Sequence, residues 1–290
     1  MSGSTPGHSS SPAPPSTSGL SSGMDLTIVG CAGSFPGPGS AASCYLLTAV
    51  LEERRYALVL DLGSGALGPL QQHIDPLTLD AVLLSHLHPD HCLDLTGLHV
   101  MRTHHPLRPP PARLDVFAPE GAGERVGRAH GVQAPKDVQD TFDFHALRDR
   151  QVLRVGPFTI TAVAVSHPVP AFGFRVHCGG ATLAYTGDTD ECPALSALMT
   201  GADLVLADSA FVEGRDTTPG VHLSGRRAAR AAIAAGGVGR LMLTHLPAWN
   251  DPEVCRAEAS ALWAGTVEIA EPGVVVHLGD GLPNNPGVGA

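Results

Sequence analysis

A run of potential metal ligands lies at residues 83–92, which read LLSHLHPDHC. Its metal-ligand side chains are those of His86, His88, Asp90 and His91. The apolar run at 79–84 is typical of a buried strand. Pro89 argues against a continuous helix through the cluster, so we expect an extended loop at the strand end. Side chains two apart on extended backbone point the same way, so His86, His88 and Asp90 are expected to converge.

Imidazole and carboxylate ligands together favour zinc, manganese or iron over calcium or magnesium. The alternative is a polar loop with scattered histidines, which is what isolated histidines usually indicate. A spacing of H-x-H-x-D-H directly after an apolar strand is far more specific. We therefore interpret this stretch as a metal site.

Further metal-ligand side chains stand at the ends of later strand-like runs. A hairpin pattern at 152–165 ends before His167, a run at 182–186 ends before Asp188, and a run at 240–244 ends at His245. Asp61 likewise follows a run at 56–60 and precedes a glycine turn, where ordinary turn chemistry is the alternative. Each position alone is a weak signal, but their order along the chain is consistent with one site.

Other patterns predict the elements that position these residues. Apolar alternation predicts strands over 24–29, 43–50, 56–62 and 114–118, and helices are expected over 68–73, 93–105 and 226–235. Ser224 is the expected N-cap of the last helix. The glycine-rich loop at 30–39 lacks the Lys-Ser/Thr of a phosphate-binding loop, so we assign it at most to a pocket wall.

In this order, these motifs resemble the metallo-β-lactamase superfamily. The resemblance implies an α/β fold, a four-layer αββα sandwich of two mixed sheets with helices outside, as a single domain over 24–280. It also implies two divalent metal ions, with zinc the first candidate and Mn²⁺ or Fe²⁺ as alternatives. The first ion would be bound by His86, His88, His167 and Asp188. The second would be bound by Asp90, His91, Asp188 and His245. Asp61 would support the ligand loop through hydrogen bonds rather than bind metal.

A second motif narrows the resemblance. His222 and Ser224 precede the alanine-rich helical run, and this pattern, followed by LMLTHL, resembles the phosphodiesterase branch that includes ribonuclease Z. There the histidine serves the phosphate and the leaving oxygen, so His222 is the expected general acid. Asp208 stands where the family more often has Glu, and we expect it to orient His222. The predicted catalytic residues are therefore Asp90, Asp208 and His222.

The size of the substrate follows from what the chain lacks. Bacterial ribonuclease Z carries a tRNA-binding arm between the third histidine and the bridging aspartate, whereas His167 and Asp188 are only 21 residues apart. The tail after His245 also departs from the ribonuclease Z pattern and resembles atypical class II phosphodiesterases. We predict hydrolysis of a small cyclic nucleotide, with 3′,5′-cyclic AMP the candidate, by metal-bound hydroxide. The alternatives are tRNA 3′-end cleavage, hydrolysis of a lactone, thioester or sulfate ester, and a non-catalytic metal-binding sensor.

Composition agrees with a small anionic partner. The net charge is −10 and Lys136 is the only lysine, so binding of long nucleic acid is disfavoured.

The two ends of the chain are expected to lie outside the folded domain. Residues 1–23 are predicted to be a disordered Ser/Pro/Gly-rich leader without signal-peptide features, and Met24 is an alternative start. Residues 281–290 are predicted to be a flexible tail. Six cysteines without a C-x-x-C pair favour a cytoplasmic protein, with Cys92 in a packing role. No apolar run is long enough to span a membrane, and a homodimer is left open by the resemblance.

Overall fold

The computed structural model describes residues 23–131 and 136–279. Two mixed β-sheets pack face to face with helices on the outside, which confirms the predicted αββα sandwich. The leader and the tail lie outside the described residues, except for Gly23, which is the first residue of a strand. Within the described part of the chain, no helix is long and apolar enough to cross a membrane.

Fifteen strands are present in the described residues. In chain order they are β1 (Gly23–Ala32), β2 (Ala41–Ala42), β3 (Cys44–Leu51), β4 (Arg54–Leu60), β5 (Ala81–Leu83), β6 (Leu114–Ala118), β7 (Phe142–Ala146), β8 (Val152–Val155), β9 (Phe158–Ala164), β10 (Phe172–Cys178), β11 (Ala181–Tyr185), β12 (Leu204–Asp208), β13 (Arg240–Thr244), β14 (Val267–Ile269) and β15 (Val275–Gly279). One sheet has the order β15-β1-β3-β4-β5-β6-β7, with β2 paired to β1, and the other has the order β14-β13-β12-β11-β10-β9-β8.

Helices cover the outer faces of both sheets. They are α1 (Leu67–Leu70), α2 (Pro89–Cys92), α3 (Leu95–Thr103), α4 (Ala122–His130), α5 (Lys136–Gln139), α6 (Ala194–Met199), α7 (Gly225–Ala234) and α8 (Pro252–Ser260), with a 3₁₀ turn at Pro76–Thr78. The predicted helices at 93–105 and 226–235 are confirmed as α3 and α7, whereas the one at 68–73 is only the single turn of α1. Ser224 caps α7 as predicted, since its Oγ accepts a hydrogen bond from the Arg227 N–H at 3.2 Å.

The central strands are apolar on both faces because each lies between two packed layers. In β4, Leu58 and Leu60 enter the core between the sheets, while Val59 packs toward the helices. In β12, Leu206 faces the inter-sheet core and Val205 faces the outer helices. This two-sided burial explains why these strands read as nearly continuous apolar runs.

Each sheet changes from antiparallel to parallel pairing partway across. Strands β4, β5 and β6 are parallel neighbours in the first sheet, and β11, β12 and β13 are parallel neighbours in the second. The carboxyl ends of parallel strands lie at one edge of a sheet, where ligands of such folds usually bind. The residues that follow these strands are therefore brought to one edge of the sandwich.

Close backbone packing at this edge requires glycine at two positions. A Cβ atom on Gly63 would lie 1.9 Å from the carbonyl oxygen of Asp90, and one on Gly33 would lie 2.2 Å from that of His245. Neither backbone oxygen can move without displacing the residue that carries it. Gly33 therefore lets the glycine-rich loop pack directly against the His245 turn.

Replacing Gly63 by alanine should displace the Asp90 turn. We expect Gly63→Ala to lower the free energy of unfolding by roughly 1–3 kcal/mol, the usual cost of overpacking, and to weaken metal binding. Urea denaturation followed by circular dichroism measures the first effect. Gly39→Ala is the matched control, since no atom lies within 4 Å of its added Cβ. Equal stability of the two variants would contradict the close approach at Gly63.

Candidate metal centre and active site

Three histidines from both sheets form the first ligand group. His86 and His88 follow β5, and His167 follows β9. His88 Nδ1 lies 2.9 Å from His86 Nε2 and 3.3 Å from His167 Nε2. Behind the group, His167 Nδ1 donates to the Val221 carbonyl oxygen at 2.8 Å. That bond leaves Nε2 of His167 to face the other two rings.

Four residues form the second ligand group, and all are buried: Asp90, His91, Asp188 and His245. Their ligand atoms lie within 4.8 Å of one another. Asp188 is central, with Oδ1 3.2 Å from His91 Nε2 and Oδ2 3.2 Å from His245 Nε2. Asp188 Oδ2 also lies 3.6 Å from His86 Nε2, so this carboxylate adjoins both groups.

The local prediction for the ligand loop was wrong about Asp90. His86, His88 and Asp90 do not converge, because Pro89 begins the one-turn helix α2, with His88 as its extended N-cap. Proline disrupts a helix that reaches it, but it is well suited to the first helical position. The helical turn directs Asp90 and His91 into the second group instead, as the family resemblance had implied.

The donor atoms of the two groups fit a cation. His91 Nε2, His245 Nε2 and Asp188 Oδ1 are buried, and none has a hydrogen-bond partner within the described residues. Buried polar atoms are normally satisfied, and imidazole nitrogens around a carboxylate are typical ligands of zinc, manganese or iron. In the first group, three ring nitrogens face one another, an arrangement in which a shared cation satisfies all of them.

Asp61 supports the second group from the first sheet without belonging to either group. Its Oδ2 accepts hydrogen bonds from His91 Nδ1 at 2.8 Å and from the Tyr185 hydroxyl at 2.7 Å. Its Oδ1 accepts from the Ser85 N–H at 2.6 Å. Burial disfavours the charged His91 ring, but Asp188 and Asp61 outweigh it and raise the pKa of His91 well above its usual value. The bond to Asp61 directs Nε2 of His91 toward the ligand group.

His222 lies beside the ligand groups, with Asp208 behind it. His222 Nδ1 lies 2.9 Å from Asp208 Oδ2 and 3.9 Å from Asp188 Oδ2. The aspartate side chain is therefore long enough to reach the ring. Burial opposes protonation of His222, but Asp208 outweighs it and raises the pKa of His222 to about 9.

Several supporting residues were missed from the sequence. Ser43 Oγ shares a hydrogen bond with His245 Nδ1 at 3.0 Å, and Tyr185 binds Asp61 from the opposite sheet. Arg227 joins the loop of His222 to Asp190, donating to Asp190 Oδ1 at 3.1 Å and to the His222 carbonyl oxygen at 3.3 Å. In the sequence Arg227 is only one of several arginines in a helical run, and nothing local distinguishes it.

The other histidines in the first half of the chain lie outside the ligand groups of the described residues. His99 and His130 contact each other edge to face at 4.8 Å, and His145 pairs with Asp115 at 2.7 Å. Cys92 is buried in the core between the first sheet and its helices, and burial raises the pKa of its thiol to about 11. A packing role accounts for this cysteine.

A two-sheet sandwich with histidine and aspartate groups at one edge is the architecture of a metal-dependent hydrolase. The family described as the beta-lactamase superfamily domain matches residues 58–246. The chain belongs to this superfamily, since the match covers more than half of its length.

Relatives match over most of their own length. The protein Rv1339 of Mycobacterium tuberculosis is 42% identical over 245 residues, which are 83% of this chain and 88% of that protein. YhfI of Bacillus subtilis, named as a probable metallo-hydrolase, is 33% identical over 260 residues, 87% of this chain and 99% of its own. Ribonuclease Z of Mycolicibacterium paratuberculosis is 29% identical over 277 residues, 86% of this chain and 96% of its own.

Solved structures agree with this assignment. The crystal structure of Bacillus subtilis YhfI has a TM-score of 0.75 at 30% identity, covering 87% of this chain and 99% of that one. The short form of human tRNase Z has a TM-score of 0.66 at 19% identity, covering 87% and 98%. Unliganded yeast PDE1 has a TM-score of 0.65 at 13% identity, covering 89% and 100%. The last two show the shared fold alone.

Asp61 offers a test of the second ligand group. Asparagine tolerates the left-handed backbone at this position (φ 59°) but presents an amide in place of one carboxylate oxygen. We expect Asp61→Asn to weaken divalent metal binding about 10–100-fold, as loss of a partner behind a ligand usually does. Metal titration with a competing chelator measures the change. Asp80→Asn, which alters a surface pair with Arg54, should leave the affinity unchanged; unchanged affinity in Asp61→Asn would refute the supporting role.

Proposed function

We propose that this protein is a phosphodiesterase that hydrolyses a small cyclic nucleotide, with 3′,5′-cyclic AMP as the first candidate. The observation that carries the proposal is the His222–Asp208 pair beside Asp188. A metal site that only activates water needs no such acid. An imidazole held by a buried carboxylate at the edge of the site suits protonation of a leaving oxygen.

The two ligand groups suit two divalent ions, with zinc as the first candidate. One ion would be held by the first group, His86, His88 and His167, together with Asp188. The other would be held by the second group: Asp90, His91, Asp188 and His245. When bound, two such ions provide a nucleophile from water at neutral pH and stabilise negative charge on the phosphoryl group. Asp188 adjoins both groups and would supply a carboxylate ligand to each.

The side chains near the ligand groups supply and position the proton for the leaving oxygen. His222 donates its proton to the ribose oxygen as the phosphorus–oxygen bond to it breaks. The attacking water forms the new bond to phosphorus, and the proton that it releases to solvent restores the protonated His222. Asp208 holds the ring through Nδ1 and stabilises its protonated form. Arg227 fixes the backbone of His222 through its carbonyl oxygen. The general acid is thereby positioned before the substrate arrives.

The segment between His167 and Asp188 supports a small substrate. It is occupied by the hairpin of β10 and β11, which turn at Gly179-Gly180 directly after Cys178. The segment is therefore long enough only for these two strands and the short connections at their ends. It contains no projecting arm comparable to the tRNA-binding arm expected of bacterial ribonuclease Z.

An exposed aromatic pair near the ligand edge supports a nucleobase as part of the substrate. Phe35 and Trp249 lie 4.8 Å apart, and Trp249 is 65% exposed. Their loops meet beside a metal ligand, since Gly33 contacts the backbone of His245 and Ala32 bridges to Leu246. Exposed aromatic rings offer stacking surfaces for bases.

The second candidate is tRNA 3′-end cleavage. It is favoured by the ribonuclease Z relative at 29% identity, and the same catalytic residues would serve both substrates. The deciding experiment assays the purified, metal-loaded protein against cyclic AMP and a tRNA precursor side by side. We expect turnover of cyclic AMP; processing of the precursor alone would replace the proposal with the second candidate.

We also propose that the protein works in the cytoplasm. All six cysteines are free thiols, and five of them are buried. Free thiols are usual where glutathione and thioredoxin keep proteins reduced.

Removing the general acid should separate catalysis from metal binding. We expect His222→Ala to lower kcat by about 10²–10⁴-fold, the usual contribution of a positioned acid, with metal content unchanged. Steady-state kinetics and elemental analysis of the same preparation measure both. His145→Ala is the matched control, because that histidine lies on the surface strand β7 away from the ligand groups. Wild-type turnover in His222→Ala would remove the assignment.

Trp249 should affect substrate affinity rather than chemistry. Loss of one stacking ring is worth about 1–3 kcal/mol, so Trp249→Ala should raise KM for cyclic AMP about 5–100-fold while kcat changes little. Trp249→Phe should restore most of the loss. Leu107→Ala, which removes an exposed apolar side chain (88% exposed) on another loop, should leave KM unchanged. A KM unaffected in Trp249→Ala would argue against base stacking there.

A further inference from the structure

A second cavity lies between α3, α4 and the start of β7, outside the ligand groups. Its volume is about 440 Å³, within the range of pockets that bind small organic molecules. The residues that line it include Arg102, His99, His130, Thr103 and Thr141. None of these residues has a part in the proposed reaction.

Arg102 is the unusual residue of this cavity. The residue is only 4% exposed, yet Nε and Nη1 of its guanidinium are buried with no hydrogen-bond partner among the residues that the structure describes. Only Nη2 is satisfied, by the carbonyl oxygen of Ala112. Burial lowers the pKa of Arg102, and no carboxylate forms an ion pair with it among the described residues. A buried cation without a counter-charge is unfavourable unless an anion can reach it.

The neighbouring groups are suited to hold an oxyanion. His99 lies one helical turn before Arg102 on α3 and shares a hydrogen bond with Thr141 Oγ1 at 2.8 Å. Thr103 Oγ1 lies 3.1 Å from the same hydroxyl, and the His130 ring packs edge to face against His99. Arginine with hydroxyl and imidazole donors is a common combination for binding phosphate.

We propose that this cavity binds a small organic phosphate, with the phosphate group on Arg102. Asp140 is an exposed part of the lining and repels a second negative group. It can instead accept hydrogen bonds from hydroxyl groups of the ligand, as a sugar or nucleoside phosphate would provide. The phosphate therefore lies at the arginine and the organic part toward Asp140.

Calorimetric titration of the metal-loaded protein with inorganic phosphate tests the site. The metal-loaded ligand groups can also bind phosphate, but that binding is the same in all variants. A difference between variants therefore reports on this cavity alone. We expect Arg102→Gln to weaken one class of phosphate binding at least tenfold, roughly the loss of a charge-assisted contact. Arg113→Gln is the matched control, because that arginine is exposed and already pairs with Asp143 at 3.0 Å. Identical titrations of wild type and Arg102→Gln would overturn the proposal and leave a water-filled structural cavity.

A second variant covers the case in which Arg102→Gln does not fold. Asp140→Asn removes an exposed charge, so it should fold normally and tighten phosphate binding by roughly twofold to threefold through reduced repulsion. The ring signals of His130, assigned with His130→Gln in ¹³C-histidine-labelled protein, should shift on phosphate addition. Unchanged affinity in Asp140→Asn together with unshifted His130 signals would overturn the proposal independently of Arg102. Neither readout depends on phosphodiesterase activity.

Discussion

The active edge of this protein depends on the burial of three carboxylates. Asp61, Asp188 and Asp208 are each no more than 2% exposed, and a buried carboxylate is costly unless positive charge or hydrogen-bond donors surround it. His91 lies between Asp61 and Asp188, and His222 lies between Asp208 and Asp188. The result is one continuous row of alternating carboxylates and imidazoles across the two sheets. The row includes His91 and Asp188 of the second ligand group and the proposed general acid His222, and Asp188 also adjoins His86 of the first group.

This row also constrains the backbone that carries it. Asp61 and His245 have left-handed backbone conformations, with φ of 59° at each, which costs a non-glycine residue of order 1–3 kcal/mol. At Asp61 the conformation turns the chain from β4 so that the carboxylate reaches Ser85, His91 and Tyr185. Its hydrogen bonds to the ligand loop and to β11 offset the local strain. The convergence of both sheets on one site is therefore maintained by side-chain contacts rather than by backbone preference.

Much of the fold and the ligand set could be predicted from the sequence, because apolar strand runs ended in histidine or aspartate at each place. The supporting role of Asp61 was also predicted, but contacts between residues far apart in the chain could not be. Tyr185 contacts Asp61 across 124 residues of chain, and Ser43 contacts His245 across 202, so no local pattern indicates either pair. The direction of Asp90 was mispredicted from extended geometry, since Pro89 begins a helical turn. Arg102 carries no signal in the sequence, because its importance depends on the absence of a partner in three dimensions.

The ligand groups alone do not distinguish a cyclic nucleotide from a polynucleotide, since both present the same phosphodiester to them. Discrimination must come from the surrounding surface, and long nucleic acid requires accessible positive charge. Arginines on the second-sheet side of the site are already ion-paired: Arg227 with Asp190, Arg230 with Glu191, and Arg215 with Asp216. These carboxylates neutralise the charges that a polynucleotide backbone would need. Together with the short β10–β11 hairpin, this pairing favours a substrate small enough to be bound by the ligand edge and the nearby aromatic rings.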